Sequence, residues 1–317
     1  MEEYLSINRR EFVEKFLKSS VALGLIASSY PSLGKTEQGA VKLVILHTND
    51  THSRIDPFPQ NDAKYAGMGG YARRMELIRK IRSEEEHILL FDSGDIFQGT
   101  PYFNMYGGRL EFELMSKMGY DASTLGNHDF DNGIVGLLKQ YPYKSFPFLN
   151  SNYDFEKSEL RDEVNRYKVF KKGGARIGVF GIGIELNGLV DERNFKGVVY
   201  RDPIQFANEV AQELKRKEKC DLIICLSHLG YRYENPNKVS DEKLATYTKN
   251  IDIILGGHTH TFLDEPTKKN NLDGKEVLIA QTGFGGIRLG RIDCTLGKNL
   301  KKYSAETYTV KKTTKSS

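Results

Sequence analysis

The sequence predicts an α/β fold built on mixed sheets, and three observations lead there. From Val41 onward, apolar runs of strand length alternate with segments of helical periodicity, the pattern of parallel βαβ units. The runs at 43–46, 88–91, 122–125, 222–226 and 253–255 each give way to a short polar loop, as strands do at their carboxyl ends. Later segments, at 175–183, 276–283 and 287–296, lie among glycine-rich turns with little helix between them and read as antiparallel additions.

Taken in order, the chain opens with a segment unlike the rest. Arg9 and Arg10 precede Phe12 and Val13, and a short apolar run from Val21 to Ala27 follows, then small residues and Pro31. This is the layout of an export signal, and the paired arginines resemble a twin-arginine signal. Asn8, Glu14 and Lys18 depart from that pattern, and an amphipathic surface helix is the alternative. Residues 1–34 are therefore expected to be an export signal and linker, with a periplasmic location. Residues 41–310 are expected to form the catalytic domain and 311–317, which lack any apolar residue, a disordered tail.

The first helix is expected over 71–82, after the GMGG turn, and another over 203–217, with Asp202 as N-cap before Pro203. Lys171 and Lys172 before Gly173 and Gly174 mark a hairpin, and the three glutamates at 84–86 a solvated turn. Cys220 and Cys225 bracket a predicted strand, too far apart to bridge and turned to opposite faces; with Cys294 they are expected to be buried free thiols. The balance of 46 basic and 42 acidic residues is too even to imply nucleic acid as a partner, and no apolar run is long enough to span a membrane.

The loops after the five runs carry the chemistry. The first holds Asp50 and His52, the second Asp95, the third Asn127 and His128, the fourth His228, and the fifth His258 and His260. Five of the seven histidines in the chain lie there, leaving His47 and His87 elsewhere. In α/β sheets the functional crevice lies outside the carboxyl ends of the strands, so five loops would meet at one place. Two divalent cations ~3.5 to 4 Å apart need hard oxygen and imidazole ligands with one bridging carboxylate. Asp50 and His52 can reach one ion, Asp95 is the natural bridge, Asn127 and His228 suit the second ion, and His258 and His260 can be divided between them. Mixed ligands of this kind suit Mn, Zn, Fe or Co.

The ordered set NDTH at 49–52, SGD at 93–95, GNHDFDNG at 126–133, SHLG at 227–230 and GGHTH at 256–260 resembles the calcineurin-like metallophosphoesterases, within them the 5′-nucleotidase and UDP-sugar hydrolase branch. The resemblance covers about Lys42 to Leu296. It implies a four-layer α-β-β-α sandwich with two mixed sheets. It implies Asp50, His52, Asp95 and His260 at one metal and Asp95, Asn127, His228 and His258 at the other. It also implies that His128 is a catalytic histidine rather than a ligand, oriented and kept protonated by Asp131, with Asn127 and His128 meeting the substrate. A helix cap is the alternative role for Asp131, and Asp129 is expected to support the ligands.

The implied activity is hydrolysis of phosphate monoesters, 5′-nucleotidase-like, by in-line attack of a metal-bound hydroxide. Cyclic-nucleotide phosphodiesterase, UDP-sugar hydrolase and sulfur-ester hydrolase activities share these loops, and a non-catalytic scaffold would have lost ligands that are all present. Members of the branch usually continue into a second domain that grips the nucleobase. The expectation is that a separate chain supplies that half, or that the enzyme accepts small phosphoesters without reading a base; were the chain's own loops to confer base preference, FQGTPYFNMY at 97–106 is the place to look.

Overall fold

The computed structural model describes residues 39–298 and 300–312, so the expected export segment and all but the first two residues of the expected tail lie outside the described residues. In chain order the first half forms β1 (Val41–Thr48), α1 (Tyr71–Glu84), β2 (Ile88–Asp92), α2 (Pro101–Tyr106), α3 (Arg109–Met118), β3 (Ala122–Ser123), α4 (Gly133–Leu138), β4 (Phe148–Leu149), β5 (Tyr153–Asp154) and β6 (Val164–Asn165). Next come β7 (Tyr167–Lys172), β8 (Ala175–Ile182), β9 (Val199–Tyr200), α5 (Pro203–Arg216), β10 (Leu222–Ser227), α6 (Asp241–Tyr247) and β11 (Ile253–Leu255). The chain ends in β12 (Thr267–Asn270), β13 (Glu276–Ala280), β14 (Arg288–Gly297) and β15 (Leu300–Thr309).

Two large sheets result. One has the order β15-β14-β1-β2-β3-β4-β6, the other β12-β13-β11-β10-β8-β7, and β5 with β9 makes a small separate ribbon. In the first sheet β1, β2, β3, β4 and β6 run parallel, while β14 is antiparallel to both β1 and β15. In the second, β8, β10, β11 and β13 run parallel between antiparallel β7 and β12.

Strand alternation sorts the apolar residues into three cores, and three cores require four layers. Leu43 and Ile45 of β1 face Ile177, Leu222, Ile224 and Ile253 in the core between the sheets. Val44 and Leu46, one step out of phase, face α1 and α3 through Ile78, Ile81, Phe112 and Met115. On the far side Ile223, Cys225 and Ile254 pack against Ala207, Val210, Ala211 and Leu214 of α5. The sandwich is α-β-β-α, as the motifs implied.

Local signals behave as read. Asp202 caps α5, its carboxylate accepting the Gln205 N–H at 2.8 Å, and Gly173 and Gly174 with φ of 56° and 88° make the two-residue turn between β7 and β8. Two readings need correction. The segments at 175–183 and 276–283 join the sheet in parallel with β10 and β11 and are antiparallel only to their outer neighbours. For β8 the cause is the α5 crossover, which returns the chain in its original direction. Cys220 and Cys225 do not face opposite sides: both lie in the outer core, because the strand begins only at Leu222 and Cys220 precedes its alternation. All three cysteines are buried and free. Among the described residues no helix is long and apolar enough to cross a membrane.

Candidate dimetal site

Strands β1, β2 and β3 of one sheet and β10 and β11 of the other deliver their carboxyl-end loops to a single place. There the side chains gather into two groups with ligand atoms close enough to share an ion: Asp50, His52 and His260 in the first, and Asp95, His228 and His258 in the second. In the first, His52 Nε2 lies 2.9 Å from His260 Nε2, and Asp50 Oδ1 is 3.5 Å from His260 and 4.0 Å from His52. Asn127 joins the second, its Oδ1 2.9 Å from His258 Nδ1. Asp95 connects them: its Oδ2 is 3.1 Å from His228 Nε2 and 3.9 Å from His52 Nε2. His47 and His87 take no part; His47 is buried in β1 against Gly290.

The local backbone is strained where these side chains sit. Asp50, His52, Asp95, His258 and His260 all have positive φ, between 46° and 71°. Left-handed conformations of non-glycine residues cost ~1 to 3 kcal/mol each and persist only where the surroundings enforce them. Hydrogen bonds to neighbouring loops do so here. Asp50 N–H donates to the Gly94 carbonyl, His52 N–H to the Asp95 carbonyl, and the Asp50 carboxylate accepts the His258 N–H.

Asp129 is the fixture for the Asp95 turn. Its buried carboxylate accepts N–H groups from Asp95 (3.1 Å), Ile96 (3.0 Å), Phe97 (3.4 Å) and Gly126 (2.8 Å). It therefore supports a ligand rather than being one. Gly126 must be glycine for a related reason, since a Cβ there would overlap Asp95 Oδ1.

The donor set fits divalent cations. His228 is fully buried, and its Nδ1 donates to the Ser93 carbonyl at 2.7 Å, which turns Nε2 towards Asp95. That Nε2 lies close to the carboxylate but is not aligned for a hydrogen bond with it and has no other partner. A buried nitrogen aimed at a carboxylate without bonding to it is suited to coordinating an ion beside that carboxylate. Without a cation, burial would raise the Asp95 carboxyl, but the neighbouring imidazoles, His228 foremost, outweigh burial and hold it below the usual carboxylate range. Burial lowers His258 to about 4 and also lowers His52, favouring the neutral imidazoles that metals require.

His128 is placed differently. Its Nδ1 and Asp131 Oδ2 are 2.8 Å apart, and its backbone N–H donates to Asp95 Oδ1 at 2.8 Å. The hydrogen bond to Asp131, reinforced by the charge of Asp95, raises the His128 pKa above the ordinary histidine value. It belongs to neither group of ligands, yet its ring centroid is 5.4 Å from that of His52.

Each residue marked in the sequence thus reaches the crevice. The sequence reading missed the residues that hold them. Ser93 acts on His228 through a backbone carbonyl, which leaves no side-chain signal. Asn49 binds Asp50 Oδ2 at 2.5 Å and the Gly283 carbonyl at 2.6 Å, and accepts the Thr282 N–H and hydroxyl. Its partners Thr282 and Gly283 are 233 and 234 residues away, which no local pattern reveals.

The family model for calcineurin-like phosphoesterase matches residues 43–262, the stretch that supplies all five loops. The chain belongs to the calcineurin-like phosphoesterases. Within this family it is 36% identical over 305 residues to a 5′-nucleotidase of Vibrio cholerae, an alignment covering 87% of this chain and 54% of the relative. It is 32% identical to a snake venom 5′-nucleotidase of Gloydius brevicauda, covering 80% of this chain and 45% of the relative. Among solved structures, a 5′-nucleotidase precursor from Thermus thermophilus superposes with a TM-score of 0.76 at 30% identity, covering 85% of this chain and 55% of that one. The calcineurin-like phosphoesterase YfkN from Bacillus subtilis superposes with a TM-score of 0.68 at 26% identity, covering 86% and 91%. The chain spans about half the length of the curated 5′-nucleotidases it matches.

Proposed function

We propose that this phosphoesterase hydrolyses small phosphate monoesters, 5′-nucleotides first among them, at a site holding two divalent ions. The observation that carries the reading is the Asp95 carboxylate, which faces His228 of one ligand group and His52 of the other. Asp50, His52, Asp95 and His260 would hold one ion, and Asp95, Asn127, His228 and His258 the second. When bound, two such ions neutralise phosphoryl oxygens and generate a nucleophile from water at neutral pH. Mn, Zn, Fe and Co all accept this ligand mixture.

The protein's own part is positioning and proton supply. Asn127 presents its Oδ1 to the second group, leaving its amide N–H groups to donate to a phosphoryl oxygen. His128, oriented by Asp131 through Nδ1, holds a proton on Nε2 that neutralises the departing ester oxygen. Resemblance to two 5′-nucleotidases at more than 30% identity favours nucleoside monophosphates over other esters.

A panel of AMP, cyclic AMP, a UDP-sugar and p-nitrophenyl phosphate tests the substrate class. Turnover of the monoesters well above that of the cyclic nucleotide and the UDP-sugar is expected. Chelation should abolish it, and a divalent ion should restore it. Faster hydrolysis of cyclic AMP or the UDP-sugar would overturn the monoesterase reading, and full activity after complete chelation would overturn the metal reading.

A further inference from the structure

The four imidazoles of the two groups are not held alike. Nδ1 of each of three meets an oxygen: His52 the Phe97 carbonyl at 3.2 Å, His228 the Ser93 carbonyl at 2.7 Å, and His258 the Asn127 amide oxygen at 2.9 Å. Among the described residues Nδ1 of His260 meets none, and its side chain is 42% exposed where that of His52 is 12% exposed. It is also the one exposed residue among the seven expected ligands. A long-armed imidazole on a left-handed loop residue, without a hydrogen bond to set its plane, needs another constraint.

Phe284 supplies a flat surface at that point. Its ring lies 5.1 Å from the His260 ring, centroid to centroid, with the planes 16° apart. Phe284 is itself wedged edge-on by Tyr65 (5.4 Å, 83°) and Phe58 (5.9 Å, 89°), with Phe262 at 5.9 Å. The GFGG turn that carries it, 283–286, is fastened to the first ligand loop: Asn49 donates to the Gly283 carbonyl, and the Gly285 N–H donates to the Asp50 carbonyl at 2.7 Å. Gly283 and Gly285 have φ of 80° and 63°, and a Cβ at either would run into the ring of Phe262 or Phe58. One piece of backbone therefore sets both Asp50 and the wall behind His260.

We propose that Phe284 is a positioning residue of the first metal group, its ring holding the His260 imidazole in the ligating orientation by stacking where His52 and His228 use a backbone carbonyl on Nδ1. The inference rests on the dimetal reading above and adds to it the residue that makes the first group competent. Loss of a group that orients a ligating histidine typically costs ~10- to 100-fold in metal affinity. The cost should fall on one site only, because the ligand ring that Phe284 stacks on, His260, belongs to the first group alone.

The test is titration of the metal-free full chain with Mn²⁺, reading bound ions per chain and the two dissociation constants. Phe284→Leu, which keeps apolar bulk but loses the flat face, should weaken one site by ~10- to 100-fold and leave the other unchanged. Phe284→Met, flexible enough to refill the space, should do the same and serves if the leucine variant fails to fold. Phe284→Tyr should bind as the parent does. Phe262→Leu disturbs the same aromatic cluster without touching His260 and should leave both constants unaltered. In a His260→Ala background, Phe284→Leu should have no further effect. Parental binding by both Phe284→Leu and Phe284→Met, equal weakening by Phe262→Leu, or persistence of the effect without His260 would each remove the role of Phe284. A parent chain that binds fewer than two ions would remove the dimetal reading and this proposal with it, a result distinguishable from the other three.

Discussion

Asp95→Ala is expected to bring hydrolysis of every ester to background and to reduce bound metal to one ion per chain or none. Its side-chain Oδ2 faces both groups, lying 3.1 Å from His228 Nε2 and 3.9 Å from His52 Nε2. The opposite oxygen, Oδ1, accepts the His128 N–H at 2.8 Å, so the substitution also frees the loop that carries His128. Stabilisation of phosphoryl transfer by metal ions is worth several kcal/mol, and ~1.4 kcal/mol is tenfold in rate, so a loss of at least ~10⁴-fold in kcat should follow. The fold should survive, because the turn is anchored by Asp129 through backbone N–H groups that the substitution leaves in place. Metal analysis alongside circular dichroism checks both statements. Two tightly bound ions in a folded Asp95→Ala chain would show that this carboxylate is no bridge.

His128→Ala is expected to separate chemistry from metal binding. The variant should retain two ions per chain and lose ~10²- to 10⁴-fold in kcat, the range associated with a positioned proton donor. The loss should be smaller for p-nitrophenyl phosphate, whose leaving group needs little protonation, than for AMP, whose alkoxide does. That contrast marks proton supply specifically, since a purely structural lesion would slow both substrates alike. Loss of an ion from the variant would instead make His128 a ligand, and equal losses for the two esters would remove the proton-donor role.

Much of this site was legible because its chemistry depends on residue type and position along the chain. Aspartate, asparagine and histidine stand immediately after apolar runs, and strand ends are where an α/β crevice forms, so five separate loops could be assigned to one place. The fold class followed from the same runs. The direction of β8 and β13 did not, because pairing depends on which neighbour a strand meets after a crossover. The Cys220 side was misread because alternation applies only inside a strand, and the start of β10 at Leu222 is a hydrogen-bonding fact. The supporting residues were the least visible. Asn49 and Ser93 act through contacts with loops more than a hundred residues away, and Phe284 stacks on His260 from a turn whose Gly285 N–H is fastened to the Asp50 carbonyl. No periodicity or spacing encodes such contacts; they exist only once two sheets have packed face to face.

Two ions sharing Asp95 are the centre of the proposed chemistry. Anomalous scattering from crystals of the metal-loaded protein tests this directly. Two peaks ~3.5 to 4 Å apart are expected, with the Asp95 carboxylate between them, one peak within coordination distance of His52 and His260 and the other of Asn127, His228 and His258. A single peak, or two peaks without Asp95 in contact with both, would contradict it.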